Sequence, residues 1–435
     1  MVTMKIGRYN VLGGLGRGGM GGVYKVRHQA LGRVMALKLL QPHELLNELM
    51  GEEAVRSAFL REARLLGSCE HRNIASVLDL DEDRGRPFMV LEYLCMNLGG
   101  LIGEGRVVEN VTRVVPPRTA LDFVRQTLDG LEYLHGRGII HLDVKPGNLM
   151  LGSDGTIKLI DLGLSRLRGE VWVKPKGLKI GSPYYVAPEQ EDSPEKADER
   201  ADLHAVGVVL HRLVSGFLPV DGLADSPLFS GAWREFFVRA LAADPDARFQ
   251  DAGAMRDALK TLEADLQRRS NNECVLPEPV CTVMGRLRST QLRTGVGPRP
   301  FDFLDELYRP LAYHEAELEE VSGGWLDRCT GLLWGPVSPW PMTWDEGMAS
   351  AVSGASGGEA AEGWRMPTVE ELVSLLRPGL ELEEFCHRPF GDRYLWLWTG
   401  DRRSYTSAWF VDVGGGAVLA QDRACRFHVR LVRSV

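Results

Sequence analysis

Four polar residues stand close together in the string HLDVKPGNLML and in TIKLIDLGLS, which follows it after a short turn: Asp143, Lys145, Asn148 and Asp161. Their neighbours Ile139, Ile140, Leu149, Leu151, Leu159 and Ile160 would by themselves make short buried strands. A carboxylate set between buried strands is costly to desolvate unless it is paired or holds a metal. Two carboxylates, an amide and a lysine in such surroundings mark a site.

The elements that must position these groups lie upstream. Gly16, Gly18 and Gly21 in YNVLGGLGRGGMGGVYKVRH form a GxGxxG. Alone this is a weak signal, because glycine-rich turns also serve as plain hairpins. Val23 to Val26 then read as a strand, where the dinucleotide-binding fingerprint requires a helix. GK followed by Ser or Thr is missing, which argues against a Walker loop and leaves a glycine hairpin that folds over phosphates. RVMALKLL alternates, with Val34, Ala36 and Lys38 on one face and Met35, Leu37 and Leu39 on the other. The helix VRSAFLREARLLGS gathers Val55, Phe59, Glu62, Ala63 and Leu66 on one side. An inward glutamate one element after an inward lysine is a pairing that satisfies both charges. RPFMVLEYL reads as a buried strand, with Glu92, Tyr93 and Leu94 where the chain leaves the sheet. A surface loop runs to Pro116 and Pro117. TALDFVRQTLDGLEYLH then spaces Leu121, Val124, Leu128, Leu131 and Leu134 as the inner face of a long helix that leads into the first string.

The order of glycine loop, strand lysine, helix glutamate, HxDxKPxN, DxG and APE resembles the bacterial serine/threonine class of eukaryotic-type protein kinases, over residues 8–265. The resemblance implies a bilobal α+β fold, with a β-rich lobe over about 8–94 and a helical lobe over about 95–265. It implies that Gly16, Gly18, Gly21, Val23, Ala36, Lys38, Leu91, Glu92 and Leu94 bind ATP, with Lys38 on the phosphates and paired to Glu62. Asn148 and Asp161 would bind Mg2+. Asp143 would accept the proton of the incoming hydroxyl, and Lys145 would neutralise the transferred phosphate. Such chemistry is mainly positioning and charge neutralisation, hence fixed carboxylates, cations and backbone N–H groups. In GSPYYVAPEQ, Ser182 fills the position that meets the substrate, and Glu189 is expected to pair with Arg248 of DPDARF. ADLHAVGVVLHRLVSG resembles the family's buried central helix, which puts Asp202 under the catalytic loop.

Two residues depart from the family pattern. Leu142 stands where the family usually has an arginine that binds a phosphorylated activation loop, and Leu162 replaces a phenylalanine. From Leu162 to Val186 there is no threonine, and the hydroxyls are Ser165, Ser182, Tyr184 and Tyr185. The same stretch already carries Arg166, Arg168, Lys174, Lys176 and Lys179. Activity independent of phosphorylation of this loop is the expectation.

The chain has 435 residues, a formal charge of -8 and a hydrophobic fraction of 44%, enough for two packed domains and without a pull toward nucleic acid or anionic membrane. Seven cysteines without paired spacing read as reduced thiols. The start lacks the apolar core of a signal peptide, and no run reaches the length of a membrane span. A cytoplasmic protein is expected. Residues 266–315, polar with scattered Pro and Gly, read as a linker.

Residues 316–434 are rich in Trp and Gly. MTWDEGMASAV reads as a helix, and Thr368 with Glu371 makes a capping-box signature for a second helix. TGLLW, MTW, WRMPTVEEL, AWFVDV and the closing VRLVR resemble a bacterial C-type-lectin-like domain related to the formylglycine-generating-enzyme fold. Trp334, Trp344, Trp364, Trp409 and Arg430 read as core and turn residues. Trp396, Trp398 and Tyr405 are candidates for a binding surface. Cys386 and Cys425 lack the cysteine motif of the formylglycine enzymes. The whole implies an ATP- and Mg2+-dependent kinase acting on Ser or Thr of a protein substrate, joined to a module that senses a ligand or docks a partner. The alternative is a nucleotide-binding scaffold that works through its C-terminal domain. All the charged groups of the first motif are present, which speaks against it.

Overall fold

The computed structural model describes residues 4–18, 20–105, 107–152, 154–168, 184–219, 227–271, 281–282, 301–353, 363–377, 390 and 396–435. Two compact units divide the chain, Met1–Val111 with Ala120–Asp265, and Thr112–Thr119 with Leu266–Val435.

The first unit begins with an antiparallel sheet in the order β1-β2-β3-β4-β6-β5. Its strands are β1 (Lys5–Ile6), β2 (Tyr9–Arg17), β3 (Gly21–His28), β4 (Val34–Leu40), β5 (Val77–Asp83) and β6 (Arg86–Glu92). Alternation in β4 buries Met35, Leu37 and Leu39 in a core with Ile6, Tyr9, Val26, Phe88 and Val90, and so sends Lys38 to the other face. Glycine is required at the β3 start, where a Cβ on Gly21 would lie 1.9 Å from the Leu39 carbonyl oxygen.

The short helix α1 (Glu44–Met50) precedes α2 (Glu52–Gly67), whose first turn carries Glu52 and Glu53, the favourable sign for the positive end of a helix. The apolar stripe of α2 is buried through Val55, Phe59, Ala63 and Leu66, and Glu62 is buried among them. Full burial of a side chain such as Phe59 contributes about 1.5–3 kcal/mol, which outweighs the discomfort of one paired carboxylate on that face.

Helical elements dominate the rest of this unit. After β7 (Met96–Asn97) and α3 (Leu98–Ile102) comes α4 (Pro117–Gly136), opened by a proline that needs no partner for its missing N–H. Leu121, Val124, Leu128, Leu131 and Leu134 are all buried along it. A Cβ on Gly130 would meet Leu159 Cδ1 at 2.7 Å and the Asn73 carbonyl oxygen at 3.0 Å, so this glycine sets how closely α4 approaches the site strands. Those strands are short: β8 (Ile139–Ile140), β9 (Leu149–Leu151), β10 (Ile157–Leu159) and β11 (Arg166–Leu167). β9 pairs with β10 and β7, and β8 pairs with β11. Beyond α5 (Pro188–Asp192), α6 (Glu199–Ser215) is buried from Ala201 to Leu213. Asp198 caps its start by accepting the Arg200 N–H at 3.0 Å, and Gly216 ends it with φ 77°, a left-handed cap that suits glycine. The helices α7 (Ala232–Ala240) and α8 (Ala252–Asn271) follow.

The second unit holds the parallel pair β12 (Cys281–Thr282) and β13 (Tyr313–His314). It also has a sheet of β14 (Leu318–Val321), β15 (Gly324–Asp327), β16 (Leu332–Val337) and β20 (Arg430–Ser434), and a second sheet of β17 (Trp396–Arg402), β18 (Ser407–Asp412) and β19 (Ala417–Asp422). Its helices are α9 (Trp344–Ser353) and α10 (Val369–Val373). The predicted capping box is present: Glu371 N–H donates to Thr368 Oγ1 at 3.2 Å, and Thr368 N–H donates to Glu371 Oε2 at 2.8 Å. Trp334, Trp409, Leu372 and Val432 share one core with Phe301 and Leu304, two residues that composition had assigned to a linker.

Two expectations fail here. Trp396 and Trp398 are buried, with only Tyr405 of the three aromatic candidates exposed, because β17 is covered on both faces and alternation leaves it no solvent side. Cys95 and Cys425 are each in a disulfide, and Cys69 and Cys329 are free thiols. Spacing along a chain cannot report which sulfurs the fold brings together. Cys386 lies outside the described residues.

Candidate active site

Lys38 is fixed in register between Val23 of β3 and Met89 of β6. Its Nζ donates to Glu62 Oε1 at 2.7 Å and Oε2 at 2.9 Å, and to Asp161 Oδ1 at 3.2 Å. One ammonium thus joins β4, α2 and the segment after β10. Burial alone would lower Lys38, but the charges of Asp161 and Glu62 outweigh it and hold the ammonium above its ordinary value. Burial, with the Asp161 charge behind it, pushes Glu62 up to about 7 against the pull of Lys38. Burial acts upward on Asp161 too, yet Lys38 and the Gly163 N–H keep it below the ordinary carboxylate value. The negative charge therefore rests first on Asp161, and Glu62 is the member that takes up a proton as pH falls. Gly163 completes the cluster, since a Cβ there would lie 3.0 Å from Asp161 Oδ1 and 3.3 Å from Glu62 Oε2.

The second cluster hangs from the end of α4. Asp143 Oδ2 accepts from Lys145 Nζ at 2.8 Å and from Asn148 Nδ2 at 2.8 Å, and the same Nδ2 lies 2.8 Å from the Asp143 carbonyl oxygen. The amide nitrogen of Asn148 is thereby committed to Asp143, and its Oδ1 remains as the acceptor atom. The backbone beneath is held by Asp202, fully buried in α6. Asp202 accepts from His141 N at 2.9 Å and Leu142 N at 2.7 Å, and lies 2.8 Å from His135 Nε2. Both Leu142 and Asp161 have positive φ, 64° and 66°. Left-handed backbone at residues other than glycine persists only where surroundings over-determine it, and here Asp202 and Lys38 supply that restraint. His135 and Lys158 were not singled out from the sequence, because each stands alone on its element and only the fold gives it a partner.

Glu189 and Arg248 meet bidentately at 2.7 and 2.8 Å, with Arg248 also donating to the carbonyls of Ala242, Ala243 and Arg200. Leu142 packs against the buried Ala187, Ala197 and Ala201, and its carbonyl accepts from Gln190 Nε2 at 3.0 Å. Arg166 is buried and donates to the carbonyls of Pro194, Glu195 and Ala197. The Ser165 hydroxyl is buried and donates to the Leu162 carbonyl at 2.7 Å. Ser182, Lys174, Lys176 and Lys179 lie outside the described residues. Beside the end of this segment an open cavity of about 440 Å³ is lined by Tyr184, Val186, Pro188, Glu191, Asp192 and His204. Burial and the Arg248 charge push His204 down to about 4, so it faces the cavity neutral at pH 7.

Of the remaining nucleotide-site residues, Gly16 and Val23 are paired across β2 and β3, and Gly18 and Gly21 close the hairpin through N–H to carbonyl bonds of 2.9 and 3.3 Å. Ala36 lies opposite Leu91. Glu92 turns its carboxylate to Lys158 Nζ and Ser76 N, at 2.8 and 2.9 Å, which leaves its backbone as the part able to meet a ligand. Leu94 follows just past the end of β6.

A lobe of one six-stranded sheet and a helix that carries a lysine–glutamate pair, joined to a helical lobe with a second charged cluster, is the arrangement of protein kinases. The sequence matches the protein kinase domain family over residues 9–273, and the chain belongs to that family. Residues 323–433 match the Lcl C-terminal domain. Among relatives, the chain is 32% identical to serine/threonine-protein kinase Pkn1 of Myxococcus xanthus, over 61% of this chain and 40% of that one. It is 34% identical to PksC of Streptomyces coelicolor (60% and 50%) and 30% identical to PrkC of Bacillus subtilis (60% and 41%). The chain spans half or less of the length of these relatives. A crystal structure of the Mycobacterium tuberculosis PknI kinase domain, as a double mutant, is similar with a TM-score of 0.47 and 26% identity, over 60% of this chain and 99% of that one.

Proposed function

We propose that this chain is a serine/threonine protein kinase that transfers the γ-phosphate of ATP to hydroxyls of a protein substrate. The observation that carries the reading is the Lys38–Glu62–Asp161 cluster, formed by three separate elements, together with Asp143 held between Lys145 and Asn148. In this reading the glycine hairpin covers the phosphates and Lys38 draws the α- and β-phosphates into register. Asp143 orients the acceptor hydroxyl and takes its proton, and Lys145 offsets charge on the group in flight. Asp161 and the Asn148 amide oxygen are hard oxygen donors of the kind Mg2+ prefers, and these residues would hold it. When bound, Mg2+ supplies charge neutralisation on the phosphates. A turnover of about 1–100 per second would be ordinary. Glu191 and Asp192 in the cavity lining favour acceptor peptides with basic residues.

Control lies outside phosphorylation of the activation segment. Leu142 meets alanines where an arginine would await a phosphate, Arg166 is already spent on backbone carbonyls, and Ser165 is buried. The C-terminal domain serves as a docking or ligand-sensing module, similar to lectin-like folds in its tryptophan-rich core between small sheets. A cytoplasmic location follows from the need for ATP. Against a reducing compartment stands the bonded state of Cys95 and Cys425, and alkylation of thiols in protein drawn directly from cells decides between them.

The test is incubation of the purified chain with labelled ATP, Mg2+ and a basic protein acceptor, beside Asp143→Asn. Label that requires Asp143 supports the reading. Absence of label on the chain and on the acceptor favours a nucleotide-binding scaffold.

A further inference from the structure

The second unit brings three chemically different donors to one point, and nothing in the kinase chemistry uses them. His314 comes from β13, Asp327 ends β15, and Cys329 lies in the turn that follows. One ligand atom from each, an imidazole nitrogen, a carboxylate oxygen and the thiol sulfur, all lie within 4.8 Å of one another. His314 and Asp327 are buried and Cys329 is half-buried, so two donors are fixed and the third is reachable from solvent. Among the described residues this is the one such mixed group.

We propose that His314, Asp327 and Cys329 bind a borderline-soft divalent transition-metal ion, of the Zn2+ or Co2+ class, with solvent in the fourth position. The donor set argues for the class. Hard ions such as Mg2+ and Ca2+ take all-oxygen shells, whereas nitrogen, sulfur and a single carboxylate suit a tetrahedral Zn2+ at bond lengths of about 2.0–2.3 Å. Such bonds place two donors of a tetrahedral ion roughly 3.3–3.6 Å apart. His314 Nε2 and Asp327 Oδ2 now stand 2.9 Å apart and need to open only slightly. The Cys329 side chain is half-exposed in the turn that follows β15.

The second shell is in place. Asp327 Oδ2 also accepts from Thr330 Oγ1 at 2.7 Å, and Oδ1 accepts from Cys329 N at 3.0 Å and Glu317 N at 3.2 Å. These bonds fix the carboxylate rotamer, as outer partners do for metal ligands. They also give Asp327 a structural role without metal, and an ion at this point takes the place of the His314–Asp327 hydrogen bond. The thiol of Cys329 loses its proton to solvent on binding. Burial, with the charges of Glu317, Asp327 and Glu315 behind it, holds the Cys329 thiol above its ordinary value, and the same negative charges attract a cation.

The experiment is titration of the whole chain, reduced, with Co2+, followed by competition with Zn2+. One Co2+ per chain is expected, with a sulfur-to-cobalt charge-transfer band in the near ultraviolet that Zn2+ removes. Cys329→Ser should abolish that band, Cys69→Ser should keep it, and His314→Gln should weaken binding at least about tenfold, the loss seen for disturbed metal shells. No band in the parent, or a band that survives in Cys329→Ser, overturns the proposal. Should His314→Gln fail to fold, Cys329→Ala and the Zn2+-induced rise in melting temperature carry the test, with no rise counting against it.

Discussion

Replacing Glu62 by glutamine keeps the shape of α2 and removes one charge from the cluster that Lys38 holds together. The parent carboxylate is pushed up to about 7 by burial, with Asp161 reinforcing the effect and Lys38 opposing it. Around neutrality the pair is therefore poised, and acidification protonates Glu62 before Asp161. Lys38 keeps its 3.2 Å contact to Asp161, so Glu62→Gln does not leave the ammonium bare. The loss is that of one charge-assisted bond, about 1.5–3 kcal/mol, or roughly 10- to 150-fold in kcat/KM for ATP at pH 8. The assay is kcat/KM for ATP between pH 5.5 and 8.5 for both proteins, since this ratio reports groups of the free enzyme. The parent should fall as pH drops below about 7. The terminal phosphate of ATP also titrates there, so the decisive quantity is the part of that limb which Glu62→Gln lacks. Stability should show the matching sign. A group whose folded value lies above its unfolded one stabilises most below the unfolded value, about 4.5, and loses that contribution as pH rises through about 7. The melting advantage of the parent over Glu62→Gln should therefore shrink across that window. Identical acid limbs in the two proteins, or a parent that is flat from pH 5.5 to 8, would refute the reasoning.

Gly163→Ala puts a methyl group against Asp161 Oδ1 and Glu62 Oε2; phosphotransfer should drop at least about tenfold, the effect of small misplacement in a positioned site, with little change in melting temperature. Arg248→Ala removes a fully buried guanidinium and leaves Glu189, whose side chain is 11% exposed, without that partner; it should cost about 3–5 kcal/mol in denaturant unfolding. Ser165→Ala, or treatment with phosphatase, should leave the phosphotransfer rate unchanged, because the hydroxyl serves the Leu162 carbonyl; a lost rate restored by a phosphomimetic would place control back in the segment. In the second unit, Trp398→Ala removes a fully buried indole and should destabilise that unit by about 3–5 kcal/mol, read by its own unfolding transition.

Much of the first unit is legible in the chain because its signals are local. Period two in RVMALKLL and the stripe of α2 depend on neighbours a few residues away, so the buried faces, Glu62 included, follow from spacing alone. The polar cluster around Asp143 is likewise confined to a few residues, so its composition betrays it. The same logic misled at β17. A strand with two covered faces carries no alternation, and Trp396 and Trp398 therefore look available when they are core. Partners contributed by distant elements were silent altogether. Nothing near Leu142 in the chain announces Ala187, Ala197 and Ala201, nothing near Arg166 announces three carbonyls, and neither His314 nor Cys329 points to the other.

The sequence by itself determined which residues carry charge among apolar neighbours and which helix and strand faces turn inward, because those depend on periodicity and on the cost of burying an unpaired group. Only the tertiary structure decided how the charges divide. Lys38 meets two carboxylates at once, and their unequal surroundings leave the charge on Asp161 and the proton on Glu62, a partition set by distance and burial, which no linear spacing encodes.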